Sequence, residues 1–73
     1  MIMEKQSVNS SMITSIGYDL LTSILEIEFK SDGSVWQYFD FPELMWNEFE
    51  YAESHGKYWH SNIKNQFREA RVG

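Results

Sequence analysis

The chain has 73 residues, of which 42% are hydrophobic, 16% aromatic and 23% charged, and its formal net charge is −5. This length supports one small domain with a dense core, and the absence of cysteine excludes a disulfide scaffold and thiolate metal sites. No apolar segment approaches the ~20 residues of a membrane span, and the first residues do not resemble a signal peptide, so we expect a cytoplasmic protein without a membrane partner.

The N-terminal part of the sequence predicts an arm followed by strands. Residues 1–7 are polar and aperiodic, which predicts a flexible arm ahead of a single domain at residues 8–73. Residues 12–18 predict a short strand that is bent or bulged at Gly17. Residues 24–30 alternate apolar and acidic side chains, so we expect a half-buried strand with Glu26 and Glu28 on its outer face.

Asp32-Gly33 predicts a two-residue type I′ turn that joins this strand to the next. Such a turn would pair Phe29 with Trp36. Because cross-strand partners share a face, Trp36 and Tyr38 would then lie on the core side of the sheet. A loop longer by one residue would place both rings on the opposite face.

Two amphipathic helices are predicted after the strands. The first begins at Pro42-Glu43, buries an arc that includes Phe49, and ends near residues 54–56, where Gly56 suits a left-handed C-terminal position. The second spans Lys57 to about Ala70. Together the elements predict an α+β domain, a three-stranded antiparallel β-meander followed by two C-terminal α-helices packed on one face of the sheet.

Basic residues are concentrated at the C-terminal end. Residues 1–53 carry a formal charge of −8, whereas residues 54–73 carry +3. On a continuous second helix the basic side chains would form one stripe beside the apolar arc: Lys57, His60, Lys64, Arg68 and Arg71. This stripe is either a phosphate-binding surface or a solvated face that neutralises acidic neighbours of the same domain.

The aromatic residues admit two interpretations. Trp36 and Tyr38, with basic residues nearby, have the composition of a platform that stacks on unpaired bases. A small domain also needs its aromatic rings in the core, and the predicted register places both rings there.

Catalytic and metal-binding interpretations have little support. Ser10, Ser11, Asp19, His55 and His60 include the residue types of a catalytic site, but nothing in their spacing indicates one. Serines just before a strand are typical backbone hydrogen-bonding partners. His55 and His60 do not share a helical face, and we expect neither a metal nor another cofactor.

The sequence resembles the KTSC domain family. The shared pattern includes Ser10-Ser11, Ile16-Gly17-Tyr18-Asp19, Trp36-x-Tyr38, Gly56-Lys57-Tyr58-Trp59 and Ile63-Lys64. This family is named for the C-terminal extension of some lysyl-tRNA synthetases and also occurs alone in bacterial and phage proteins. Its central motif is usually Tyr-x-Tyr, so Trp36 keeps a ring but lacks one phenolic hydroxyl.

The resemblance implies a non-catalytic binding module, with RNA (tRNA or single-stranded) as the first partner, bound by Trp36, Tyr38 and the basic residues. The alternative is an adaptor or inhibitor that binds another protein through an acidic and apolar sheet face. That face would carry Glu26 and Glu28 beside Val35, Gln37 and Phe39, unless Phe39 only closes an edge of the sheet.

Overall fold

The computed structural model describes residues 4–73 and contains an antiparallel sheet with helices on one face. In chain order the elements are β1 (Lys5–Ser7), β2 (Ile13–Asp19), β3 (Ile24–Phe29), β4 (Val35–Tyr38), α1 (Glu43–Glu50), α2 (His55–Tyr58), which continues into a π-helical turn (Trp59–Ile63), and β5 (Glu69–Arg71). The sheet order is β1-β2-β3-β4-β5. The α+β class is therefore confirmed, but the sheet has five strands rather than three.

The two additional strands lie at the edges of the predicted meander. β1 pairs with β2 through Lys5↔Gly17, so this part of the predicted N-terminal arm is an edge strand, while residues 1–3 lie outside the described residues. β5 pairs with β4 through Trp36↔Arg71. Both strands are three residues long, which is too short for a periodic pattern to identify them.

The β2 irregularity lies at a different position from the predicted one. Gly17 pairs regularly with Lys5 and Glu26, and the register instead shifts between Ile13 and Ser15. The bulge keeps Ile13 fully buried and leaves Ser15 on the opposite face.

The β3–β4 turn is longer than predicted, yet it leaves the faces unchanged. Ile27 pairs with Trp36 and Leu25 with Tyr38, which moves the register by two residues from the predicted pairing. Gly33 alone in this turn has a positive φ, 69°, so the type I′ prediction is wrong. Because side chains alternate with a period of two, this shift keeps Trp36 and Tyr38 on the core side, as predicted.

Helix α1 begins at Glu43, directly after Pro42, as the sequence predicts. It ends at Glu50, and Gly56 lies inside α2 rather than at a left-handed helix end. Ser54 explains the earlier start of α2, since its hydroxyl accepts a hydrogen bond from the Lys57 backbone N–H (3.2 Å).

The predicted second helix is wrong beyond Ile63. The chain turns at Asn65, whose φ is 62°, and then extends into β5. The spacing of apolar residues over positions 57–70 fits a helix. In the folded chain, however, residues 69–71 pair with the exposed backbone edge of β4. The core between sheet and helices consists of eight buried residues: Ile13, Ile16, Leu25, Ile27, Tyr38, Phe41, Phe49 and Ile63.

No helix among residues 4–73 is long and apolar enough to cross a membrane.

Candidate functional site

A cavity of about 310 Å³ opens between the β3–β4 turn and the end of the π-helical turn, and we call it the aromatic cavity. Four aromatic side chains contribute to its walls, Phe29, Trp36, Tyr38 and Trp59. Its polar lining consists of Ser31, Asp32, Ser34, Lys64, Asn65 and Glu69. The structure therefore brings Trp36, Tyr38 and Lys64, three of the predicted site residues, to one place.

The rings of the aromatic cavity differ in exposure. Tyr38 is 1% exposed and belongs to the core, whereas Trp36 and Trp59 are half-buried and pack against the core from the cavity side. Trp59 packs edge-to-face on Phe29, with the ring centroids 5.1 Å apart. Phe29 is half-buried as well, so Tyr38 is the ring of this cavity that is not accessible to a ligand, and the two accessible indoles are those of Trp36 and Trp59.

A hydrogen bond between Trp59 and Tyr38 fixes the position of the Trp59 ring. The Trp59 Nε1–H donates a hydrogen bond of 3.0 Å to the Tyr38 hydroxyl oxygen. Burial raises the pKa of Tyr38 to about 12, and the nearby Glu69 carboxylate also raises it. The phenol is therefore neutral at physiological pH and contributes an uncharged hydroxyl to the cavity floor.

The charges at the aromatic cavity are mixed. The Lys64 Nζ lies 5.6 Å from the centroid of the Trp59 ring, a cation–π distance. Asp32 is an anion, because hydrogen bonds from Ser34 lower its pKa, with a smaller contribution from the charge of Arg71. The cavity consequently offers one flexible cation together with carboxylate acceptors.

The five basic residues do not form one stripe. Lys57 and His60 line a different cavity, and Lys64 follows the π-helical turn. The Arg68 guanidinium lies over the Phe39 ring at 5.1 Å, and the Arg71 Nε donates to the Gly73 carbonyl oxygen (2.9 Å). The basic residues do not form a stripe because the helix ends before Lys64. Arg68 and Arg71 therefore lie on an extended segment.

The cavity beside Lys57 and His60 has a volume of about 450 Å³, and we call it the hydroxyl cavity. Four serines, Ser10, Ser11, Ser54 and Ser61, contribute to its lining. Its lining is connected to that of the aromatic cavity: consecutive residues, Trp59 and His60, line one cavity each, and the Lys30 N–H, next to Ser31, donates to the Met12 carbonyl oxygen (2.9 Å).

Three of the five residues considered for catalysis, Ser10, Ser11 and His60, line the hydroxyl cavity. The Ser10 hydroxyl accepts hydrogen bonds from the Met12 and Ile13 backbone N–H groups, at 3.1 and 3.2 Å, as expected for a serine ahead of a strand. No serine–histidine hydrogen bond forms within residues 4–73. Asp19 lies at the end of β2 and is absent from the lining of the hydroxyl cavity.

The acidic sheet face is largely paired within itself. Glu26 forms a salt bridge with Lys5 (2.6 Å) and accepts a hydrogen bond from Gln37 Nε2 (2.9 Å). Burial alone would raise the pKa of Glu26, but these hydrogen bonds and the Lys5 charge outweigh burial and lower it. Glu28 and Val35 pair in register beside this cluster, so Glu26, Glu28, Val35 and Gln37 share a face as predicted, whereas Phe39 follows the end of β4.

Sequence reasoning missed two features of the site. A second helix continuous to residue 70 gives no indication that Trp59 lines a cavity, which depends on Lys64 folding back over its ring at the helix end. The serines of the hydroxyl cavity come from the segment before β2 and from the start of α2, and only the folded chain brings these together.

Comparison with known proteins accounts for this fold and for its sequence pattern. The KTSC domain model matches residues 9–67. The chain belongs to the KTSC domain family. A crystal structure of a KTSC domain protein from Yersinia pestis superimposes with a TM-score of 0.93 and 39% identity, covering 99% of this chain and 100% of that one.

Two curated relatives of this KTSC domain chain are lysine–tRNA ligases, from Nostoc sp. and Trichormus variabilis. Each is 40% identical over 58 residues, which is 80% of this chain. The match spans only 10% of the length of each ligase.

Proposed function

We propose that this KTSC domain is a non-catalytic binding module that takes an unpaired RNA base into the aromatic cavity. The observation that carries the proposal is the pair of half-buried indoles, Trp36 and Trp59, that line one cavity with Lys64 beside them. Stacking of a base on an aromatic side chain contributes ~1–3 kcal/mol and tolerates any base. The similarity to lysine–tRNA ligases supports RNA as the partner class.

The carboxylates of the cavity shape the expected specificity. Asp32 and Glu69 accept but do not donate hydrogen bonds, so they favour a base that carries an exocyclic amino group. Cytosine, adenine and guanine have such a group, and uracil has none. The same carboxylates and the net charge of −5 oppose the phosphate backbone, so we expect modest affinity, and Lys64 as the single basic residue of the lining predicts a shallow dependence on salt.

Fluorescence anisotropy of labelled single-stranded oligonucleotides, titrated with the protein at several salt concentrations, tests this function. We expect saturable binding in which oligocytidylate binds more tightly than oligouridylate. The logarithm of affinity should fall with the logarithm of salt concentration by about 0.7 for each phosphate neutralised. Absence of binding at low salt would overturn the proposal.

A matched pair of variants locates the site. Lys64→Gln and Gln66→Glu each change the charge by the same amount, and both positions are exposed and close in sequence. Lys64 lines the aromatic cavity, whereas Gln66 does not. Lys64→Gln should weaken RNA binding, and Gln66→Glu should leave the affinity close to that of the wild type. Equal losses would indicate a general effect of charge rather than this site.

The protein-binding alternative rests on the sheet face opposite the helices. That face carries Glu28 and Val35 next to the Lys5–Glu26–Gln37 cluster, and the helices pack on the other side. Its strongest acid, Glu26, is already paired, which leaves less charge for a basic partner. Failure of RNA binding at low salt would make substitutions at Glu28 and Val35 the next experiment.

A further inference from the structure

The hydroxyl cavity contains donor groups that no part of the proposed base-binding site uses. Its walls come from residues 9–12, before β2, and from residues 53–61, around α2. Lys57, His60 and the four serines all lie on this one concave surface. The question is which ligand chemistry such a lining would select.

Two of the serine hydroxyls, those of Ser10 and Ser54, already accept hydrogen bonds from the backbone. Ser10 Oγ accepts hydrogen bonds from two backbone N–H groups, and Ser54 Oγ accepts one from Lys57 N–H at 3.2 Å. A hydroxyl whose lone pairs are engaged in this way retains its own proton to donate. The cavity therefore suits a ligand that only accepts hydrogen bonds.

The basic residues that line the hydroxyl cavity favour an anionic ligand. Among the residues that the structure describes, the Lys57 ammonium takes part in no salt bridge, so it is available to a ligand. His60 lies three residues further along and is also exposed. Glu53 is the one carboxylate in the lining, and it lowers the expected affinity without removing the donors.

We propose that the hydroxyl cavity binds a phosphate group, either free or as part of a nucleotide chain. Phosphate oxygens are acceptors, which matches the hydroxyls, and Lys57 supplies the charge-assisted hydrogen bond. The nucleotide source rests on the proposed function: Trp59 lines the aromatic cavity and the next residue, His60, lines this one, so a strand with a base on Trp59 would place a phosphate near His60 and Lys57. Free phosphate needs no such assumption.

Gly56 offers a variant that narrows the cavity without breaking the fold. A Cβ at this position would lie 3.5 Å from Met12 Cβ and 3.7 Å from Ser10 Oγ, which are ordinary contacts. Gly56 sits in α2 without a positive φ, and alanine is a better helix former than glycine. Gly56→Ala should therefore fold normally while placing a methyl group next to the Ser10 hydroxyl.

The test is a titration of the wild-type protein with inorganic phosphate, followed by amide nitrogen–proton correlation spectra, with chloride keeping the ionic strength constant. We expect saturable shifts in the amides of residues 9–12 and 53–57, the part of the lining that does not neighbour Trp59. Lys57→Gln should weaken phosphate binding about tenfold, the effect of losing a charge-assisted hydrogen bond, and Gly56→Ala should also weaken it. Gln66→Glu, which changes the net charge equally, should not. Linear, unsaturable shifts, or equal effects of Lys57→Gln and Gln66→Glu, would overturn the proposal.

Two further ligands separate this site from the base site and identify the source of the phosphate. Cytidine carries the base without phosphate and should shift the amides around Trp36 and Trp59 only. Cytidine monophosphate should shift both sets and lose its advantage over cytidine in Lys57→Gln. Phosphate binding without any response to cytidine would support a free-phosphate site and overturn the base-binding function. RNA binding that is unchanged in Lys57→Gln would overturn the phosphate site as the RNA-contacting surface.

Discussion

The indole N–H of Trp59 donates a hydrogen bond of 3.0 Å to the hydroxyl of Tyr38, and this contact joins the π-helical turn to strand β4. Tyr38 is almost fully buried, so the position of its hydroxyl is set by the core. The half-buried ring of Trp59 is consequently held at a fixed position in the wall of the aromatic cavity.

Tyr38→Phe should lower the free energy of unfolding by about 1–2 kcal/mol, because the Trp59 N–H loses its acceptor while the ring packing is kept. Urea unfolding followed by tryptophan fluorescence measures this loss. Tyr51→Phe is the matched control, since Tyr51 is 82% exposed, and it should leave the midpoint unchanged. Equal effects of the two variants would show that the Tyr38–Trp59 bond does not contribute to stability.

Trp36→Ala distinguishes a ligand-binding ring from a core ring. Trp36 is only half-buried, so we expect a stability loss of about 1–3 kcal/mol, smaller than the ~3–5 kcal/mol expected when the fully buried Phe49 is replaced by Ala. At a temperature where Trp36→Ala and the wild type are both folded, Trp36→Ala should bind RNA more weakly than the wild type. A Trp36→Ala protein that binds RNA as tightly as the wild type would exclude this ring from the interface.

Strands β2, β3 and β4 and their faces were predictable because they depend on periodicity, unlike the three-residue strands β1 and β5. The alternation of Leu25, Glu26, Ile27 and Glu28 identifies β3 and its buried face. The β3–β4 turn was predicted with the wrong length, but a register error of two residues preserves the face of Trp36. A wrong turn prediction thus still led to the correct side of the sheet.

The positions of the basic residues were not predictable, because they depend on where the helical segment that contains Trp59 ends. The spacing of Trp59, Ile63, Phe67 and Ala70 fits a helix, and no glycine or proline interrupts it. Asn65 instead adopts a φ of 62°, and the chain returns to pair with β4. The free edge of β4 is a tertiary feature, so local propensity at residues 64–70 carries no sign of it.

Glu26 should make stability depend on pH. Its pKa is lowered in the folded state from the ordinary value of 4.5, so the carboxylate contributes stability above that value and loses it as the pH falls through the folded-state pKa. Lys5→Met removes one hydrogen bond to Glu26 and the neighbouring positive charge. Burial, which raises the pKa of Glu26, is then opposed by the Gln37 hydrogen bond. We expect Lys5→Met to be less stable than the wild type at pH ~7 and the difference to shrink by pH ~3.

Urea midpoints of the two proteins across this pH range measure the effect. Lys30→Met is the control, since Lys30 is exposed and outside the Glu26 cluster, and its difference from the wild type should not vary with pH in the same way. A Lys5→Met deficit that stays constant from neutral to acidic pH would show that Lys5 acts through β1 pairing rather than through the Glu26 charge.

Substitutions at Gly33 and Gly56 distinguish the cost of an unfavourable backbone conformation from the cost of steric crowding. No atom lies within 4 Å of a Cβ built on Gly33, yet its φ is 69°, a conformation that costs an L-residue roughly 1 kcal/mol. Gly33→Ala should therefore destabilise the protein by about that amount, and Gly33→Asn by less, because asparagine tolerates the left-handed region. Gly56→Ala has close neighbours but ordinary helical geometry, so it should be neutral or stabilising in the same urea assay. The opposite ranking would mean that crowding beside Ser10, rather than backbone conformation, limits substitution in this fold.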